Sequence, residues 1–102
     1  MDTEKAQLTL FTDKIVQEFN PTIFILFGSR ARSDWVKSSD YDFLIVSEKF
    51  AKIPYIFRMS ALYDYWDLPV DFDAICVTPE EFHKRKDKSI IKSAYTQGIS
   101  LL

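Results

Sequence analysis

Three short apolar stretches with polar residues only at their leading edges restrict what this chain of 102 residues can fold into. Thr22 to Phe27 (TIFILF) is apolar throughout and β-branched at its start, the pattern of a strand covered on both faces, and it ends at Gly28-Ser29. Asp40 to Val46 reads as a second strand, with Asp40, Asp42, Leu44 and Val46 on one face and Tyr41, Phe43 and Ile45 on the other. Leu68-Pro69 leads into a third, Val70 to Val77, again with its acids first. The intervening sequence is helical. Residues 3 to 19 place Ala6, Leu10, Ile15, Val16 and Phe19 near one stripe before Asn20-Pro21 stops the helix. Pro54 opens a second helix running to about Tyr65. Thr78-Pro79-Glu80-Glu81 combines an N-cap, a first-turn proline and acids matched to the helix dipole. It opens helical sequence expected to break near Asp87 and to stop at Gly98, after which Ile99 to Leu102 suggests a short edge strand. Such alternation predicts an α/β sheet layered with helices.

The chain is long enough for one core and too short for two ordinary domains, so a single domain over 1–102 is expected. A formal net charge of -2 gives no drive toward nucleic acid or an anionic membrane. The charged opening MDTEKAQ is unlike a signal peptide, and no apolar run approaches the roughly 20 residues of a membrane span. A single cysteine, Cys76, lies in an apolar run and reads as a buried, inert thiol, which fits a reducing cytoplasm. There are only two glycines, Gly28 and Gly98, so Gly28 between a strand and a polar connection marks a special backbone position.

The acids carry the chemistry. Strand residues two apart project to the same face, roughly 7 Å apart, so Asp40 and Asp42 aim together, and Asp71 and Asp73 repeat the arrangement. If the two strands are neighbours, up to four carboxylates meet at one end of the sheet and raise one another's pKa, a conflict that a divalent cation removes. Oxygen ligands without histidine or thiolate nearby select Mg²⁺ or Mn²⁺, and Mg²⁺ usually bridges a few carboxylates to substrate phosphates. If RARSDW begins a helix, its amides and positive dipole end face the same region, a place for phosphate. Gly28 would let the backbone approach, Ser29 would hold a phosphate oxygen, and Arg30 or Arg32 would neutralise charge.

The string GSRARSDWVKSSDYD resembles the signature of the DNA polymerase β-like nucleotidyltransferase superfamily, in which Gly-Ser is followed after ten residues by Asp-x-Asp; VDFDAICVTPEEF strengthens the likeness. Length, GSRAR and TPEEF resemble the minimal nucleotidyltransferases, small prokaryotic proteins often paired with a helical HEPN partner, and the likeness spans roughly residues 20–85. It implies a mixed β-sheet with helices packed mainly on one face. It also implies a two-metal reaction in which a hydroxyl attacks the α-phosphate of an NTP, ATP in the first instance, and pyrophosphate leaves. By the same resemblance Asp40, Asp42 and Asp73 hold two Mg²⁺ ions and form the catalytic set, with Asp71 in reserve for Asp73. Gly28, Ser29 and Arg32 bind the nucleotide. The chain departs from the family at Ser33, where glycine is usual, and at Asp34-Trp35, where smaller residues are common, which implies a differently shaped turn.

Other features have plainer explanations. Arg30 and Arg32 are each equally readable as solvated residues, with Arg32 preferred because the family string GSxAR contains it. Lys84, Arg85, Lys86 and Lys88 read as a solvated helix face, and His83 as exposed. Phe57, Tyr63, Tyr65 and Trp66 read as core or partner interface, leaving Trp35 as the better candidate for base stacking. Two functions of different class follow. One is NMP transfer to a hydroxyl, with a tyrosine of a HEPN partner in a toxin-antitoxin pair as leading acceptor. The other is a catalytically weak, antitoxin-like subunit acting by contact. Antibiotic nucleotidylation ranks third, because it normally needs an acceptor domain that this sequence does not contain.

Overall fold

The computed structural model describes residues 3–32, 36 and 38–102. The expectations for Ser33, Asp34 and Trp35 lie outside the described residues. A mixed four-stranded sheet, β1 (Ile23–Phe27), β2 (Tyr41–Val46), β3 (Phe72–Val77) and β4 (Ile99–Ser100), has the order β3-β2-β1-β4. β1 is antiparallel to β2 and β4, whereas β2 and β3 are parallel. A parallel pair requires a crossover, and residues 47–71 supply it with a 3-10 turn (Glu48–Lys52), a one-turn helix α2 (Tyr55–Arg58) and a second 3-10 stretch (Ser60–Tyr65).

The alternation read from the sequence divides the core in two. Phe24, Leu26, Tyr41, Phe43, Ile45, Phe72 and Cys76 face the larger cluster, roofed by α1 (Thr3–Phe19) and the crossover. Ile25, Leu44, Val46 and Val77 face the smaller one, covered by Ile91 and Ala94 of α4 (Ser89–Gln97) and by Phe82 of α3 (Pro79–Arg85). Helices therefore cover both faces of the sheet, the larger cluster lying under α1 and the crossover. Phe11 is the hub of that side: its ring lies 4.8 Å from Trp66, 5.4 Å from Phe43 and 5.8 Å from Phe72. Such ring pairs contribute about 0.5–1.5 kcal/mol each beyond burial.

Three local expectations are corrected. The buried stripe of α1 is Phe11, Ile15 and Phe19, while Ala6, Leu10 and Val16 are exposed. The two rings of the helix set its rotation, because burying Phe11 and Phe19 together removes the most apolar area from water. The second helix does not run from Pro54 to Tyr65. It stops after Arg58, where the Ser60 hydroxyl donates to the Phe57 carbonyl at 2.9 Å, and local side-chain bonding of this kind competes with the helical ladder. Asp40 and Thr22 fall just outside their strands. Val70 and Asp71 likewise precede β3, and the edge strand ends at Ser100. Asn20 takes a left-handed φ of 44° before Pro21, Thr78 and Glu81 form a reciprocal capping box, and the last helical region divides between Arg85 and Ser89.

One polar tie spans the crossover. Arg58 is buried, donating through Nε to the Ile53 carbonyl and through Nη1 to that of Cys76, while pairing with both Glu81 oxygens. That pairing, with the Thr78 amide, lowers the Glu81 carboxyl to about 2.

Candidate active site

The site forms where β1, β2 and β3 meet at one end. Asp42 is the register partner of Phe27 on one side and of Asp73 on the other. Because β2 and β3 are parallel and paired residue for residue, Asp42 and Asp73 project to the same face, the one that carries Leu44 and Val46. Asp40, two residues before Asp42, precedes the strand and is exposed. The carboxyl of Asp42 is half-buried and raised above its ordinary value, first by burial, then by the charges of Asp73 and Asp40, with Arg32 pulling the other way. Asp40, Asp73 and Arg32 therefore all act on Asp42.

Asp71 is engaged elsewhere. Its Oδ1 accepts from the Tyr63 hydroxyl at 2.9 Å and from the Phe72 amide at 2.8 Å, and its carbonyl accepts from the Tyr41 amide at 3.2 Å. Its position beside β2 and its bond to Tyr63 make it part of the strand's start.

Gly28 closes the site from β1. Its φ is +75°, and a Cβ placed there would collide with Oδ2 of Asp42 and lie 3.2 Å from the carboxyl carbon. The residue is glycine for both reasons, conformation and space. Beyond it, the Ala31 and Arg32 amides donate to the Gly28 carbonyl at 3.1 and 3.3 Å, so that residues 28–32 form one tight turn. The first amides of such a turn are not consumed by its internal bonds and point along its axis.

The two arginines of the turn have different surroundings. Arg30 is buried. Its guanidinium pairs with Glu4 at 3.3 Å, donates to the Ser39 carbonyl at 3.0 Å and lies 4.5 Å over the Tyr41 ring, whose hydroxyl also donates to Glu4 at 2.8 Å. This network ties α1, the turn and β2 together, and it corrects the reading of Arg30 as a solvated or phosphate-neutralising residue. Arg32 is exposed and acts on Asp42.

Beside the turn lies a cavity of about 100 Å³ lined by Phe27, Gly28, Ala31, Arg32, Ser93 and Gln97. The sequence offered no signal for Ser93 or Gln97. They are ordinary polar residues four apart on a helix, and only the packing of α4 brings them to the turn. Elsewhere the plain readings stand. His83 and the basic residues of α3 are exposed, with Lys84 paired to Glu80 at 3.2 Å, and Trp66 is part of the core. Cys76 is buried, its thiol pushed up to about 12 by burial.

Asp40, Asp42 and Asp73 offer carboxylate oxygens at this end of the sheet, the donor type that suits a hard divalent cation. Among the described residues, no three histidine, cysteine or acid side chains are gathered closely enough to hold an ion as they stand. The fit is one of donor chemistry and of electrostatic need, visible in the raised carboxyl of Asp42.

A mixed sheet whose parallel strands begin with facing aspartates, beside a Gly-Ser turn, defines the class as a nucleotidyl-transfer fold. The chain belongs to the nucleotidyltransferase domain family, whose sequence model matches residues 11–97. This agrees with the resemblance to the minimal nucleotidyltransferases. The fold is similar to the crystal structure of a protein from Sulfolobus solfataricus provisionally described as a nucleotidyltransferase. The TM-score is 0.63 at 19% identity, over 95% of this chain and 78% of that one. Among curated proteins, none matches the sequence. Among the described residues, no helix is long and apolar enough to cross a membrane.

Proposed function

We propose that this domain transfers a nucleoside monophosphate from an NTP, ATP in the first instance, to a hydroxyl acceptor, with release of pyrophosphate. The observation that carries the proposal is Asp42: a half-buried carboxyl raised by burial and by two neighbouring acids, for which a glycine has been left at position 28. Stability alone disfavours such a cluster, and it becomes intelligible if a cation and a polyphosphate occupy it.

In this reading Asp40, Asp42 and Asp73 are the metal ligands and the catalytic acids, holding Mg²⁺, two ions, with Mn²⁺ as a substitute. When bound, these ions supply charge stabilisation at the phosphates and lower the cost of ionising the attacking hydroxyl. Asp73 takes the hydroxyl's proton. The assignment favours Asp73 over Asp71 because Asp73 is the register partner of Asp42, whereas Asp71 is bonded to Tyr63. The amides opening the 28–32 turn and the Ser29 hydroxyl bind phosphate oxygens, and Arg32 offsets their charge. Arg30 holds the turn against β2.

The preferred acceptor is a tyrosine hydroxyl on a helical HEPN-type protein, in a toxin-antitoxin pair in the cytoplasm. One observation also favours the second reading, an antitoxin-like subunit that neutralises its partner by contact. Tyr55, Ile56 and Phe57 on α2 are 51%, 79% and 56% exposed, an apolar surface suited to another protein. The two readings separate on nucleotide chemistry. Titration calorimetry with ATP, with and without Mg²⁺, is expected to show magnesium-dependent binding to the wild type that Asp42→Asn abolishes, and α-labelled ATP should then label the acceptor. Absence of binding for every common NTP would remove the enzyme reading and leave the contact reading.

A further inference from the structure

We infer that Tyr63 is a site of self-modification, its phenol oxygen accepting a nucleoside monophosphate from the NTP bound at this chain's own acids. The inference rests on the proposed nucleotide site and adds an acceptor that belongs to the chain itself.

The crossover delivers Tyr63 to the acids. The residue lies in the second 3-10 stretch, its ring packs 4.6 Å from that of Phe72 at the start of β3, and the side chain stays 41% exposed. Its hydroxyl donates to Oδ1 of Asp71 at 2.9 Å, an oxygen also held by the Phe72 amide at 2.8 Å. Asp71 is in turn fixed to β2, because its carbonyl accepts from the amide of Tyr41, the residue between Asp40 and Asp42. Asp73, the register partner of Asp42, follows two residues later, roughly 7 Å along the strand. The phenol oxygen is thus anchored at the acid end of the sheet. The phenol is raised above its ordinary value, first by its hydrogen bond to Asp71, then by burial and by the charges of Asp71, Asp73 and Asp40. Three acids of this end therefore reach it.

The strand order sets the direction of attack. β1 runs into the Gly28 turn, assigned to the phosphates, and β3 lies two strands away, roughly 10 Å at the usual strand spacing. Displacement at the α-phosphorus is in line, so the nucleophile stands opposite the departing pyrophosphate. With the tail of the triphosphate on the β1 side, the nucleophile belongs on the β3 side, where Tyr63 is held. The phenol oxygen forms a bond to the α-phosphorus, and the bond from that phosphorus to the bridging oxygen breaks, its electron pair leaving with pyrophosphate. The phenol proton passes to Oδ1 of Asp71, to which it is already hydrogen-bonded. Asp71 thereby acquires a role separate from that of Asp73, which serves an acceptor from outside. Two other tyrosines are placed differently: Tyr41 is buried with its hydroxyl on Glu4, and Tyr55 lies on α2 beside Arg58 and Arg85.

The experiment incubates the full chain with α-labelled ATP and Mg²⁺ and maps the label by mass spectrometry in the wild type, Tyr63→Phe and Asp71→Asn. Tyr63→Phe keeps the ring on Phe72, so it should keep the wild-type melting temperature. The wild type should gain an adenylyl group on Tyr63 and Tyr63→Phe none. Asp71→Asn should be labelled roughly a hundredfold more slowly, the lower end of what a positioned proton acceptor contributes. A second measurement needs no turnover. α,β-Methylene-ATP with Mg²⁺, which cannot release pyrophosphate, should shield Tyr63 severalfold from nitration and leave Tyr55 unshielded. Label that persists in Tyr63→Phe or forms as fast in Asp71→Asn would overturn the inference, as would nitration of Tyr63 unchanged by the bound analogue. A wild type that binds ATP with Mg²⁺ and stays unlabelled would overturn it while leaving transfer to an outside acceptor standing. A wild type that neither binds nor is labelled would overturn it together with the proposed function.

Discussion

Replacing Gly28 with alanine tests the geometry at its tightest point. The backbone there has a φ of +75°, and holding a residue with a Cβ in the left-handed region costs about 1–2 kcal/mol. The new methyl would also collide with Oδ2 of Asp42, and turning that carboxylate off its rotamer adds about 0.5–1.5 kcal/mol. The sum, roughly 2–3 kcal/mol, is a large share of the 5–15 kcal/mol of a typical domain. For a chain of this size it should lower the melting temperature by roughly 10–20 °C. Magnesium-dependent ATP binding should be lost as well, because the displaced group is the central acid. A double-mutant cycle separates the two contributions. In an Asp42→Ala background the collision disappears and only the backbone cost remains, so Gly28→Ala should be about 1 kcal/mol less damaging there. Denaturant melts of the four proteins measure this. An equal cost in both backgrounds would refute the claim that Asp42 is what demands a glycine. A cost below about 0.5 kcal/mol would refute the left-handed backbone itself.

Three further outcomes are expected. Asp42→Asn should raise the melting temperature in metal-free buffer while abolishing any stabilisation by Mg²⁺. The folded carboxyl lies above its unfolded value, so the native state binds more protons and loses stability as pH rises through that range, and an amide removes this loss. Unchanged melting behaviour with and without Mg²⁺ in both proteins would count against it. Glu81 has the opposite sign. Its carboxyl is held near 2 against an ordinary 4.5, so its contribution is complete above about pH 4.5 and fades as pH falls toward 2. Acid melts of the wild type should therefore be steeper over that window than those of Glu81→Gln, and parallel curves would contradict the assignment. Arg58→Ala should destabilise by roughly 2–4 kcal/mol in a urea melt, since it strips a buried guanidinium from two carbonyls and from Glu81; a loss under about 1 kcal/mol would show that the tie is dispensable.

Much of this was legible in the chain because it depends on near neighbours. β1, β2 and β3 announced themselves by apolar runs, the last two with acids at the front, the capping box by Thr78 and Glu81 three residues apart, and the end of α1 by Asn20-Pro21. The choice of Asp73 over Asp71 rested on the family resemblance, because the two share a face. The register pairs Asp73, not Asp71, with Asp42 across the parallel strands. Phe11 and Arg58 were missed for a related reason. The rotation of α1 is fixed by four rings from β1, β2, β3 and the crossover, and the burial of Arg58 by carbonyls and a carboxylate up to 23 residues away. No local pattern encodes those partners.

The two glycines show where the boundary falls. Gly28 stood out because glycine is rare in this chain and follows a strand, so a special conformation could be inferred, and it is found at a positive φ. Gly98 read as no more than a helix stop. Its φ is -80°, which any residue adopts, so nothing in its conformation requires glycine. What requires it is the approach of Ile25 and Leu26, more than 70 residues earlier, and that approach carries the end of α4 to the turn at Gly28. A conformational demand can be read from one position and its neighbours, whereas a steric demand needs the partner that imposes it. Alanine at position 98 should therefore be well tolerated by the helix and poorly where α4 meets β1, shifting Gln97 away from the turn while Asp42, Asp73 and Gly28 keep their register.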